Sequence, residues 1–369
     1  MRINQQNNYL NQRLNNVNQP KQPTRTISVD ADFNGNLEMA IASAEDGDVV
    51  QLSNKVYYTD GITIDKDITI AGAVPDSTNS ASAGRTPAGQ NGSVINGKGT
   101  SSPIISLNSD ASGTTIQDIE ITDGNIGISS DAATDLKLQN LEIHNIGINQ
   151  PSREGIDNIA INLSHADGFQ VIDSEIYNVG RKGIGINDTD GGIVSGNSLR
   201  DINLAAKHAQ SHDAGGIKLF NTNEVAVTDN ELSDINAFFI WNDITNSTTL
   251  ENNNLTGVGE DFLAPDYNPN VTVSGIYNEK SYESIVRGNT ANAVGRFLAF
   301  DATEFTTETM VLENNSFSNM ELNSTDHWAN EAAEKRVAIT EDPAQAGLEL
   351  FVDDLLARMS VENDDGGGF

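Results

Sequence analysis

The chain has 369 residues, of which 37% are hydrophobic and only 6% aromatic, with 32 glycines and no cysteine. Its formal net charge is −32, from 53 acidic against 21 basic residues. Disulfides and thiolate metal sites are therefore excluded, and nucleic acid and anionic membranes are poor partners because the surface repels both.

So few aromatics would starve a large globular core, but a repeat protein grows lengthwise around a narrow column of small branched side chains. Residues 1–25 are polar, rich in Asn and Gln, and read as a flexible arm without the apolar stretch of a signal peptide. No apolar run is long enough to span a membrane. Leu37 to Ala44 reads as a short amphipathic helix, with Met39 or Ala40 and Ala44 facing in, that closes one end of the column. The turn Asp46-Gly47-Asp48 and the strand Val49 to Leu52 follow. Residues 74–92, rich in Ser, Ala, Gly and Pro, read as a loop.

One pattern then recurs: apolar, x, apolar, x, Asn/Asp/Gly, x, x, apolar, x, Asn/Asp. It begins at Thr114, Leu136, Phe169, Gly192, Val225 and Thr248, with weaker copies at Ser284 and Met310. Its eighth position falls at Ile121, Ile143, Ile176, Leu199, Leu232, Leu255, Ala291 and Phe317, at successive spacings of 22, 33, 23, 33, 23, 36 and 26. The short spacings match one coil of a stacked-strand solenoid; the long ones match a coil plus an insertion of about ten residues. A second strand with alternating apolar residues follows each copy, starting at Gly124, Asn158, Lys182, Gly215, Phe238, Ser274 and Arg296. The insertions near 146–156, 203–214 and 257–272 all fall between the pattern and this strand, so they line up on one side and wall a groove. Asp118, Asn140 and Asp173 align at one turn position, and Asn197, Asn230, Asn253, Asn289 and Asn315 at the next. Stacked turns need such residues for left-handed backbone angles and bonds between coils, so their role is structural. The same is expected of Asp188, Asn221, Asn242, Asn278 and Asp301 after the second strand. Residues 328–339 and Pro343 to Met359 read as helical, the latter amphipathic through Leu348, Phe351, Leu355 and Leu356. The expected organisation is thus an arm over 1–25, a capped parallel β-helix over 26–325, a C-terminal helical cover over 326–360 and a disordered acidic tail over 361–369.

The segment NLEMAIASAEDGDVVQL, followed by ITIDKDITIAGA and SVINGKG, resembles the pectin-lyase-like superfamily of right-handed β-helix proteins over roughly residues 26–325. The resemblance implies an all-β, single-stranded right-handed parallel β-helix. It also implies a polysaccharide partner and an extracellular or cell-surface setting, as a monomer or trimer. Its branches include lyases, hydrolases, epimerases and non-catalytic surface proteins. Asp188-Thr189-Asp190-Gly191 loosely resembles the first motif of the polygalacturonase-like branch, whose other three motifs are absent, as is the DPHD of the epimerases. Lys280-Ser281 followed by RGNT resembles the Lys-Ser pair of the chondroitinase-B-like lyases, but the next strand reads FLAFDAT and lacks their arginine.

The most unusual cluster is KHAQSHDAGGIKLF over residues 207–220. Lys218 points outward between Ile217 and Leu219, opposite Gly185, which leaves open space beside it, and Arg181 and Lys182 enter the preceding coil. A lyase needs a base for the proton α to a uronate carboxylate and cations to neutralise that carboxylate. Lys218 or His212 suits the base, with Asp213 orienting His212 and Arg181 or Lys182 pairing the carboxylate; Lys280 is the alternative. Lys207 and His208 extend the basic patch toward substrate, and Trp241 and Tyr277 are the outward aromatics for a sugar platform. His208 and His212 lack a third ligand, so no metal site is expected there. Ca²⁺ on Glu260, Asp261 and Asp266 is left open. The two function classes that follow are a lyase-like enzyme on a uronate glycan and a non-catalytic adhesion module that binds glycan or cations.

Overall fold

The structure, a computed structural model, describes residues 24–73, 92–148, 158–203, 214–257, 274–279, 281, 283–292, 296–301, 308–318 and 337–340. Within them the chain winds through three parallel sheets. One coil shows the plan: Phe169–Ile172 lies in sheet I, Glu175–Val179 in sheet II and Lys182–Asn187 in sheet III, and the next coil starts at Asp190. Sheet I contains twelve strands, from Thr26–Ser28 to Val337–Thr340. Sheets II and III are joined in the first coils by the long strands Ser93–Leu107 and Ile119–Asp131, which run through both.

Each repeat of the sequence pattern holds two strands, in sheets I and II, rather than one. The turn between them is only two residues long, so periodicity alone does not show the break. The apolar positions stack in register. Ile70, Ile116, Leu138, Val171, Val194, Val227, Leu250 and Val286 form the inward column of sheet I. The eighth pattern positions, Ile121 to Phe317, are register partners along sheet II. Successive coils lie about 4.8 Å apart, which places like side chains in contact and makes the core one continuous column.

The turn between sheets I and II explains the asparagines. Its first residue is left-handed at Asp118, Asn140, Asp173, Asp229, Asn252 and Asn314, with φ between 50° and 60°, and glycine serves at Gly196 and Gly288. Asn and Asp tolerate this region better than other residues with a Cβ. The second residue is a buried ladder. Asn230 donates its backbone N–H and its Nδ2 to Asn253 Oδ1, at 3.1 and 2.9 Å, and Asn253 does the same to Asn289 at 2.9 Å. Asn197 and Asn315 extend it at either end. At the turn from sheet III to sheet I, Asp188 and Asn221 are left-handed and bonded to each other at 2.6 Å. Asn242 and Asn278 depart from the expected turn role: they lie inside strands, buried and bonded to each other at 2.7 Å. Asn242 is the register partner of inward Leu219, and Ile244 takes the left-handed position of that coil. Asp301 likewise closes the strand Arg296–Asp301 and does not stand in a turn.

At the N-terminal end two short helices, α1 (Val29–Phe33) and α2 (Leu37–Ser43), cap the column. Asn36 N-caps α2 by accepting from Met39 N at 2.8 Å. Leu37, Ala40, Ile41 and Ala44 face the core, whereas Met39 is 57% exposed, so Ala40 is the inward residue of the expected pair. At the other end Val337–Thr340 is a strand on Glu308–Glu313, not the end of a helix over 328–339. Its Val-Ala-Ile-Thr sequence suits strand geometry and finds an open sheet edge. The other residues of the expected C-terminal cover and tail, and the arm over 1–23, lie outside the described residues.

Candidate functional site

The sequence-derived candidates that fall among the described residues, Arg181, Lys182, Lys218, Trp241 and Tyr277, lie on or beside the outer face of sheet III. Its strands carry two consecutive inward residues, seen at Gly183-Ile184, Gly216-Ile217 and Phe239-Ile240. A Cβ on Gly183 would stand 2.8 Å from Leu199 Cδ2, and one on Gly216 would stand 2.6 Å from Phe239 O. This local break in alternation turns the flanking residues outward together. One outward row reads Asn162, Gly185, Lys218, Trp241 and Tyr277; a parallel row holds Ile159, Lys182, Gly215 and Phe238.

Lys218 stands on an outward position as expected, but it is not in open space. Its Nζ lies 3.2 Å from Asp243 Oδ2 and 3.6 Å from the centroid of the Trp241 ring. Both contacts suit an ammonium group. The space over Gly185 is also filled, because the Lys182 side chain lies across it: Lys182 Cδ is 3.1 Å from where a Cβ on Gly185 would stand. The structure therefore brings Lys182 beside Lys218 on neighbouring coils. Arg181 and Lys182 are both buried at the corner where sheet II passes into sheet III.

Beside the cations lies an aromatic shelf. Phe238 stacks on Tyr277 with centroids 4.7 Å apart and 17° between planes, and Trp241 contacts both, at 4.9 and 5.6 Å. Phe239, by contrast, is fully in the core. Trp241 is 4% exposed, and its Nε1 donor finds no hydrogen-bond partner among the described residues. A buried indole N–H without an acceptor is costly, and a hydroxyl-rich ligand would supply one.

Ser281, of the Lys280-Ser281 pair, is not a surface group. Its hydroxyl donates to Asn242 O at 3.0 Å and Glu279 O at 2.9 Å, and accepts from Thr245 N at 3.1 Å, bracing a turn. Lys280, Lys207, His208, His212 and Asp213 lie outside the described residues. So do Glu260, Asp261 and Asp266 of the Ca²⁺ expectation and most of the three insertions. The described strands on either side of each insertion place its roots at one corner, between sheets II and III. Among the described residues no group of three or more His, Asp or Glu side chains is placed to hold a metal ion, and no helix is long and apolar enough to cross a membrane. Asp243 escaped the sequence reading, although its place two residues after Trp241 puts it outward.

A family model for the right handed beta helix region matches residues 159–334. Among solved structures, an alginate lyase from Paenibacillus sp. str. FPU-7 is similar at 16% identity, covering 80% of this chain and 96% of that one, with a TM-score of 0.51. The pectate lyase Pel9A is similar at 13% identity over 86% of this chain and 82% of its own, with a TM-score of 0.49. A GH136 lacto-N-biosidase from Eubacterium ramulus is similar at 12% identity over 76% of this chain and 62% of its own, also at 0.49. No curated protein matches the sequence. The chain folds as a right-handed parallel β-helix.

Proposed function

We propose that this β-helix binds a polysaccharide along the outer face of sheet III and cleaves it as a lyase acting on a uronate-containing glycan. The observation that carries the reading is the aromatic cluster in which part-exposed Phe238 and Tyr277 pack on buried Trp241, whose ring lies against the Lys218 ammonium. Sugar rings stack on such shelves through their apolar faces, and a uronate carboxylate needs a cation beside it. The similarity to a structure named as an alginate lyase supports the choice of substrate class. In an elimination the proton α to the carboxylate passes to a base, fixed cations stabilise the enolate-like charge, and its collapse forms the C4–C5 double bond as the glycosidic C4–O bond breaks and the departing oxygen takes a proton. Lys218 and Lys182 suit the role of those cations. The base then falls to His212, with Asp213 next to it in sequence. Such an enzyme belongs outside the cell, where its substrate is.

A second reading, glycoside hydrolysis, is favoured by one feature. Asp243 and Glu279 are register partners on adjacent strands beside the same shelf. Strands lie about 4.8 Å apart, close to the ~5–5.5 Å between carboxyl groups that retaining glycosidases use. One assay separates the readings. Alginate, polygalacturonate, chondroitin and neutral glucan oligosaccharides are incubated with wild type and Lys218→Met, and both ultraviolet absorbance and reducing ends are followed. A lyase gives unsaturated-sugar absorbance that Lys218→Met abolishes. Reducing ends without absorbance mean a hydrolase. Silence on every glycan from the folded protein rejects catalysis and leaves a binding module.

A further inference from the structure

Four successive coils build a second titratable centre on the outer face of sheet II, away from the aromatic shelf. Glu120, Glu142 and Glu175 are register partners, and two residues on so are Thr122, His144, Tyr177 and Arg200. The His144 ring lies flat on Tyr177, with centroids 4.8 Å apart and planes within 5°, and the Arg200 guanidinium sits 3.9 Å from the same ring. His144 Nε2 is 3.0 Å from Glu120 Oε1, and Nδ1 is 3.3 Å from Thr122 Oγ1. Tyr177 donates its hydroxyl to Glu142 Oε1 at 2.6 Å, while Arg200 donates to Glu175 and Asp201, each at 2.8 Å. Glu142 is 6% exposed, and its second oxygen has no hydrogen-bond partner among the described residues.

This stack lies at the root of the II–III corner. One residue beyond it the chain turns left-handed at Asn145, Asn178 and Asp201. The corner is then tied by Gly147 N–H to Gly124 O at 2.8 Å, Gly180 N–H to Ile146 O at 2.8 Å and Asn203 N–H to Val179 O at 2.9 Å. Arg181 and Lys182 follow at once, and the strands that lead into two of the insertions end here, at Ile146 and Ile202.

We propose that the His144–Tyr177–Arg200 stack, with its three glutamates, is a proton-sensitive clasp that holds this corner closed while His144 is protonated and loosens it when His144 is neutral. The groups around His144 are Glu142 on its own strand, Glu120 on the preceding coil, Glu175 and Tyr177 on the following one, and Arg200 with its partner Asp201 beyond. With the imidazolium present, two cations meet the carboxylates. Without it, three stacked glutamates face one guanidinium. Burial alone would lower the His144 pKa, but the Glu120 hydrogen bond and the charges of Glu120 and Glu142 together raise it above its ordinary 6.5. Burial, followed by the neighbouring carboxylates, raises that of Glu142 despite the Tyr177 bond. Both groups therefore bind protons more tightly in the folded chain. The His144 contribution to stability is complete below pH 6.5 and is lost as pH rises through its higher folded value. The Glu142 term has the same sign.

The test uses the full chain without any glycan, so it stands or falls separately from the glycan reading. The His144 ring protons are titrated by NMR, and exchange of the Gly147, Gly180 and Asn203 amides, corrected for intrinsic rate, is followed from pH 5.5 to 8.5 in wild type and His144→Gln. The clasp predicts a His144 midpoint above the ordinary value. It also predicts amide protection that falls through that midpoint in wild type and stays flat in the variant. A midpoint at or below the ordinary histidine value, or protection in wild type that ignores pH, overturns it. The wild-type titration decides the matter even if the variant fails to fold.

Discussion

Replacing Asn253 by Ala probes the force that keeps successive coils in register. Asn253 is fully buried and its amide makes four bonds. Its Oδ1 accepts from Asn230 N–H at 3.1 Å and Asn230 Nδ2 at 2.9 Å, and its Nδ2 donates to Val227 O and Asn289 Oδ1, both at 2.9 Å. Asn230 Nδ2 keeps a second acceptor in Val194 O, and Asn289 Oδ1 keeps Asn253 N–H. One group is stranded outright, the Asn230 backbone N–H, while the Val227 carbonyl keeps its place in the sheet I ladder. An unsatisfied buried group costs about 1–3 kcal/mol, so the variant should lose at least roughly 1–3 kcal/mol. Equilibrium urea unfolding followed by circular dichroism measures this, with Glu231→Ala, an exposed outward position on the neighbouring strand, as the control expected within about 0.5 kcal/mol. Asn253→Ser should recover part of the loss, because Ser174 already heads the ladder in this chain, accepting from Leu141 N–H and donating to Ile172 O. A loss below about 1 kcal/mol for Asn253→Ala, with native circular dichroism, would refute the ladder as the coil-to-coil tie.

Two further outcomes follow from the geometry. Gly216→Ala would push a Cβ to 2.6 Å from Phe239 O and 2.9 Å from Leu232 and Ile235 carbons, so it should destabilise by about 1–3 kcal/mol in the same urea assay. At the capped end, hydrogen bonds from Lys55, Ser53 and Tyr57 hold the Asp30 pKa down to about 2 from 3.8. A depressed carboxylate stabilises above its unfolded value, so this contribution is present above pH ~4 and is lost as pH falls toward 2. Asp30→Asn should flatten that part of the acid-unfolding curve and leave neutral-pH unfolding less stable; an unchanged acid limb would show the cap tie is not used.

The sequence shows the fold clearly because the solenoid repeats its constraints. Ile or Leu recurs at the eighth pattern position from Ile121 to Leu255, and the left-handed turn residue between sheets I and II is Asp, Asn or Gly throughout. What it hides are departures from strict alternation. Gly183-Ile184 both face in, so period-two reading alone does not place Lys182 beside Lys218. Inward Asn242 and Asn278 look like turn residues because their composition is that of turns. Lys218 and Asp243 both fall on outward positions of their strands, but their ion pair is hidden because it depends on the register of adjacent coils. The sheet II clasp left a signal that went unread. Aligning the repeats on their eighth position sets Glu142 and His144 beside Glu175 and Tyr177 and Ser198 and Arg200, as the structure does.

The central claim is that the shelf on sheet III receives a glycan. The chain has two tryptophans, Trp241 and Trp328. Fluorescence of a Trp328→Phe protein therefore reports Trp241 alone, and it is titrated with uronate oligosaccharides of increasing length. The account predicts a saturable change that tightens with length until the shelf is filled and weakens at least about tenfold in Lys218→Met, the loss of one charge-assisted contact of ~1.4 kcal/mol or more. A Trp241 signal that stays flat across the series, or one that Lys218→Met leaves unchanged, would contradict it.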